Sequence, residues 1–126
     1  MTKKTILIVD DDPDIVLVNR VVLESAGYLV EEAADGKTAL AKMRANRPDF
    51  VLMDVMMASP LEGYYTTQQI SDDPELRGLP ILMVSSITSS QYAASFPTDQ
   101  YVNILEFVSK PIEPEKLLEK IKRYLK

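Results

Sequence analysis

Four apolar runs of strand length, Thr5–Val9, Phe50–Met53, Ile81–Val84 and Leu105–Val108, punctuate the chain, with a weaker one near Tyr28–Val30. The strong runs are nearly continuous and do not alternate with polar residues, which is how strands buried on both faces of a parallel sheet read. Parallel neighbours need crossover connections, and the segments between the runs carry helix signals. Asp12 and Pro13 supply an N-cap and a first-turn proline for a helix reaching about Ala26, with Gly27 as its stop. Asp35-Gly36 opens a second helix carrying Ala39, Leu40 and Met43 and ending before Pro48. A third runs from about Tyr64 to Ser71, and Pro114 starts one whose Leu117, Leu118, Ile121 and Leu125 follow helical spacing.

This alternation, joined by right-handed crossovers, predicts the α/β class: a doubly wound, five-stranded parallel sheet with helices on both faces. The interval Ser86–Asn103 breaks the pattern. It holds Pro97, few strong helix formers and little periodicity, so the fourth helix due there is expected to be short, broken or mobile. A length of 126 residues, 46% of them hydrophobic, fits one domain over residues 1–126 with nothing left for an output domain.

The chain has no cysteine, no signal-peptide core and no apolar run of membrane-spanning length. A soluble, cytoplasmic protein is expected. A formal net charge of -5 argues against nucleic acid as a partner. Lys116, Lys120, Lys122, Arg123 and Lys126 alternate with acids and apolar residues, as on a solvated helix face. The absence of histidine excludes Ser-His-Asp triads and imidazole metal ligands, and the chain cannot itself carry a phosphohistidine.

In an open parallel sheet the ligand crevice lies at the carboxyl ends of the strands. The residues there are Asp10 and Asp11, Asp54, Ser85, and Lys110 two residues after Val108. Carboxylates about 4 Å apart repel by ~4 kcal/mol in an effective dielectric near 20, and a cation would offset that. Two acids of the first loop with Asp54 form a hard oxygen set suited to Mg²⁺. Ser85 adds a hydroxyl donor and Lys110 a positive charge, so the group could stabilise a phosphoryl passing in line onto a carboxylate. Asp54, alone at its strand end, is the natural acceptor. Each residue also has a plainer reading. The acidic run caps a helix and complements its macrodipole, Asp54 could cap a strand end, and Ser85 or Lys110 alone could be structural or solvated. Met56 and Met57 read as gap fillers. The conjunction at one sheet edge favours the site.

With ILIVDDDPD, VLMDVMM, ILMVSS and FVSKP in this order, essentially the whole chain resembles the receiver domain of bacterial two-component response regulators, of the chemotaxis-regulator kind. The resemblance implies a flavodoxin-like (βα)₅ fold, phosphorylated on aspartate by the phosphohistidine of a sensor histidine kinase or histidine phosphotransfer protein. It implies Asp54 as phosphoacceptor, Asp11 and Asp54 as side-chain ligands of Mg²⁺, Asp10 acting through metal-bound water, and Met56 giving its backbone carbonyl. It implies that Ser85 hydrogen-bonds a phosphoryl oxygen, that Lys110 pairs with the phosphoryl group, and that Phe107 is a switch aromatic without a hydroxyl. Asp12 matches the helix cap. Two stretches depart from the family: VMMASPLEG after Asp54, and a Ser85-to-Lys110 interval a few residues longer than usual.

The expected function is therefore a stand-alone phosphoacceptor that signals or relays to a downstream protein target. It would act as a monomer or a phosphorylation-dependent dimer, with no enzymatic chemistry beyond its own phosphotransfer and autodephosphorylation. An alternative is a haloacid-dehalogenase-type phosphohydrolase with Asp10 as nucleophile, which leaves Asp54 unexplained. A flavodoxin would want a Ser/Thr/Gly-rich phosphate loop where this chain has DDDPD. On the first helix, Ile15, Val18, Val22 and Ala26 read as the core stripe. Leu17 and Val21 project away from it beside Arg20 and Glu24, as surplus apolar residues for partner docking or as scattered surface hydrophobes.

Overall fold

A computed structural model describes residues 3–54, 62–85, 103–109 and 112–125. In chain order these form β1 (Thr5–Val9), α1 (Pro13–Ser25), β2 (Leu29–Ala33), α2 (Gly36–Ala45), β3 (Phe50–Asp54), α3 (Glu62–Asp72), β4 (Pro80–Ser85), β5 (Asn103–Ser109) and α4 (Pro114–Tyr124). All five strands are parallel, in the order β2-β1-β3-β4-β5. The winding reverses between β1 and β3, which opens a crevice at their carboxyl ends. The doubly wound α/β fold expected from the sequence is the fold observed. Of the irregular interval, residues 86–102 lie outside the described residues, and Asn103 opens β5.

The continuous apolar runs resolve into two interleaved faces, because successive strand residues point to opposite sides. Ile6, Ile8, Phe50, Leu52, Leu82 and Val84 pack with Val16 and Leu23 of α1 and Leu117 and Ile121 of α4. Leu7, Val9, Val51, Met53, Ile81 and Met83 pack with Ala39, Leu40 and Met43 of α2 and Ile70 of α3. Each large side chain so buried contributes roughly 1.5–3 kcal/mol of transfer free energy. Between β4 and β5 the register moves from Ile81↔Ile104 to Leu82↔Glu106, so Leu105 bulges out of the ladder.

Two expectations need correction. The weak strand near Tyr28–Val30 is in fact Leu29–Ala33, paired from Thr5↔Leu29 to Val9↔Ala33. As an edge strand it carries Glu31 and Glu32, half-buried acids that hide it from a hydropathy reading. Glu32 ties the edge strand to both neighbouring helices, since its carboxylate accepts from Arg20 Nη1 at 2.6 Å and its carbonyl accepts from Lys42 Nζ. Glu32 first and Glu24 second raise the Arg20 pKa.

The second correction concerns α1, whose buried face is Val16, Asn19 and Leu23, with Ile15 and Val22 half-buried. Val18 is 55% exposed and Ala26 is exposed too, so neither belongs to the core stripe. Apolar residues at positions 15–18 and 21–23 allow more than one helix rotation by periodicity alone; the connection from β1 and the Asp12 cap select one. Leu17 and Val21 are exposed as expected, at 60% and 58%.

The helix ends follow their capping chemistry. Asp12 Oδ1 accepts from Asp14 N at 2.9 Å and Ile15 N at 3.4 Å, and Gly27 leaves α1 at φ +98°. Asp35 Oδ1 accepts from Thr38 N at 2.7 Å, and this bond chiefly holds the Asp35 carboxyl below its ordinary range. A depressed folded pKa gives stabilisation that is present above the unfolded pKa and lost as pH falls through the folded one. Asp35→Asn keeps an N-cap acceptor, so it is expected to match the wild type near pH 7 in urea unfolding and to lose less stability toward about pH 3. Equal acid losses in the two proteins would contradict this. No helix among the described residues is long and apolar enough to cross a membrane.

Candidate functional site

The sheet register brings the acids together. Val9 lies opposite Met53, so Asp10 leaves β1 beside Asp54, the last residue of β3, and Asp54 lies opposite Val84 of β4. Asp10 N donates to Ala33 O at 3.0 Å, and Asp12 N donates to Asp10 Oδ1 at 2.9 Å, which curls the loop back over the strand end. Asp10 and Asp54 are buried while Asp11, between those two anchors, is exposed.

One carboxylate oxygen each from Asp10, Asp11 and Asp54 lie within 4.8 Å of one another. At that spacing each ionised pair repels by roughly 3–4 kcal/mol in an effective dielectric near 20. Oxygen-only donors, converging from two loop residues and one strand end, fit a small hard divalent cation that keeps part of its water shell. A thiolate or imidazole metal is disfavoured by the donor chemistry, since the chain has neither cysteine nor histidine.

Ser85 closes β4 one residue beyond Val84 and pairs with Ser109 of β5, so its backbone stands at the same sheet edge as Asp54. Phe107 lies in β5 opposite Met83. Lys110 and Met56, both expected at the site, lie outside the described residues.

The structure adds two residues to which the sequence reading gave no part. Asp14 on the first turn of α1 and Asn19 one turn further border the same cavity as Asp10 and Asp54. Asp14 was visible as a fourth carboxylate; Asn19 gave no signal, because an asparagine in an amphipathic helix reads as exposed.

The sequence model of the response regulator receiver domain family matches residues 6–122. Protein PilH of Pseudomonas aeruginosa is 32% identical over 120 residues, covering 95% of this chain and 96% of PilH. The probable transcriptional regulator ycf27 of Guillardia theta is 33% identical over 125 residues, covering 99% of this chain but 46% of that protein, so the chain spans about half of its length. Among solved structures, the chemotaxis response regulator CheY4 of Vibrio cholerae superposes with a TM-score of 0.85 at 33% identity, over 98% of this chain and 100% of that one. The phosphohydrolase alternative finds no support in these matches. A parallel sheet wound in the order 2-1-3-4-5, three aspartates at its switch point and a family match over nearly all its length lead to one conclusion: the chain belongs to the response regulator receiver domain family.

Proposed function

We propose that this chain is a receiver of two-component signalling that takes a phosphoryl group onto Asp54 in a Mg²⁺-dependent reaction. The observation that carries the reading is the convergence of Asp10, Asp11 and Asp54, with Asp54 buried at the end of a central strand. An Asp54 carboxylate oxygen attacks the phosphorus of a partner's phosphohistidine. The P–N bond breaks, and the departing imidazole nitrogen keeps the electron pair and takes a proton. Asp11 and Asp54 would hold Mg²⁺ through their side chains, Asp10 through water and Met56 through its carbonyl; the ion supplies positive charge against the phosphoryl oxygens. Ser85 hydrogen-bonds one of those oxygens and Lys110 pairs with another.

The donor is a sensor histidine kinase or a histidine phosphotransfer protein in the cytoplasm, since the chain has no histidine of its own. Leu17, Val18 and Val21 form an exposed apolar ridge on α1, directly after the acidic loop, and this supports docking of a helical donor there. Similarity to PilH over almost its whole length supports a receiver that passes its state to a protein target through phosphorylation-dependent contacts.

The test is direct: incubation with a small-molecule phosphodonor and Mg²⁺ should add one phosphoryl mass, and chelation by EDTA should prevent it. Mg²⁺ alone should raise thermal stability by mass action, about 2.7 kcal/mol at a hundredfold excess over Kd. Asp11→Asn should lose most of that gain; an unchanged metal response would place the ion elsewhere. Lys110→Ala should keep the metal response yet blunt the structural change on phosphorylation, as read by amide chemical shifts. Equal shifts in both proteins would remove Lys110 from the switch.

A further inference from the structure

A cavity of about 260 Å³ lies between α1 and the carboxyl ends of the central strands. Ile8, Leu52 and Val84 form its sheet side and Ile15 and Val18 its helix side, so most of its wall is apolar. Val18 is 55% exposed, which puts the mouth of the cavity at the surface of α1. An apolar cavity of ~150 Å³ already admits a benzene ring, so this one has room for a compact ring with a substituent.

Asn19 is the residue that points to a ligand. It is 8% exposed, on the buried face of α1 between Val16 and Leu23, where a leucine would be the ordinary choice. Its carboxamide has no hydrogen-bond partner among the described residues. Yet no fully buried polar side-chain atom of those residues lacks a partner, so the amide must reach open space, and the space it borders is this cavity. Water beside it finds few other partners along the apolar wall, so a molecule that brings both a polar group and an apolar body suits the place better. A carboxamide donates and accepts at once, and a hydroxyl or a second carboxamide does the same. Asp10 and Asp54 also border the cavity, but each has interactions of its own, and neither is needed to choose the ligand.

We propose that the cavity binds a small alcohol or carboxamide with a compact apolar body, the body against Ile8, Leu52 and Val84 and the polar group on the Asn19 carboxamide. Burial of the body supplies affinity, and the hydrogen bond to Asn19 selects the polar group. The site stands on the apolar wall and Asn19 alone, and is independent of whether Asp54 accepts a phosphoryl group.

The experiment is an NMR titration of the full chain with benzyl alcohol and with toluene, which share a ring and differ in the hydroxyl. Benzyl alcohol should shift the Asn19 side-chain amide and the Ile8 and Val84 methyl signals saturably. It should bind about tenfold more tightly than toluene, which leaves the amide unpaired. Asn19→Leu keeps the size of the side chain and removes its hydrogen bond, so in that variant toluene should bind as tightly as the alcohol or more tightly. Asn19→Ala, which widens the cavity, should still bind both probes and lose the preference in the same way. Equal affinities in the wild type, a preference that survives both substitutions, or shifts confined to the exposed Leu17 and Val21 would each overturn the proposal. So would the absence of saturable shifts, which would make the cavity a hydrated cleft only.

Discussion

Asp54→Asn is expected to take up no phosphoryl group under conditions that label the wild type. The amide is nearly isosteric with the carboxylate but is a poor nucleophile, and it carries no charge to help hold the cation. The loss should come without loss of fold. Asp54 is buried at the end of β3, and an asparagine there keeps the size of the side chain and its hydrogen-bonding capacity. The variant should therefore still unfold cooperatively in urea, while intact-protein mass spectrometry shows no added phosphoryl. A mass gain undiminished by the substitution would remove Asp54 from the reaction.

Phe50→Ala should have the largest effect on stability. The ring is fully buried at the start of β3, between β1 and β4, in the cluster that joins the sheet to α1 and α4. Truncation loses its transfer free energy and leaves a cavity that a close-packed sheet cannot collapse to fill, a cost of about 3–5 kcal/mol. Against a total of roughly 5–15 kcal/mol for a domain, that brings the chain near the edge of folding. Urea unfolding with an unchanged m-value should show the shift in midpoint; a change below about 1 kcal/mol would mean that the two layers are not joined through this ring.

How far the sequence revealed the molecule depended on which faces a segment buries. β1, β3 and β4 were legible because both faces of each are apolar, so the runs end sharply and the residues after them stand out. The same sharp ends made Asp10, Asp11 and Asp54 legible as a group. β2 was displaced because an edge strand with Glu31 and Glu32 shows no such run. The rotation of α1 was missed by about one residue, since seven apolar residues in its middle permit several buried faces and only packing chooses between them. The same ambiguity concealed Asn19, whose place in the cavity wall follows from the face that is buried and from no local pattern.

The central claim is that the carboxylate at the end of β3 becomes an acyl phosphate. Borohydride reduction of the phosphodonor-treated protein tests it most directly, because it converts an aspartyl phosphate to the corresponding alcohol and leaves free carboxylates and phosphoesters untouched. After proteolysis, mass spectrometry should find the reduced residue at Asp54 and nowhere else, in protein treated with Mg²⁺ present. Reduction at Asp10 with Asp54 intact, or a phosphoryl group that survives borohydride on a serine or tyrosine, would contradict the account.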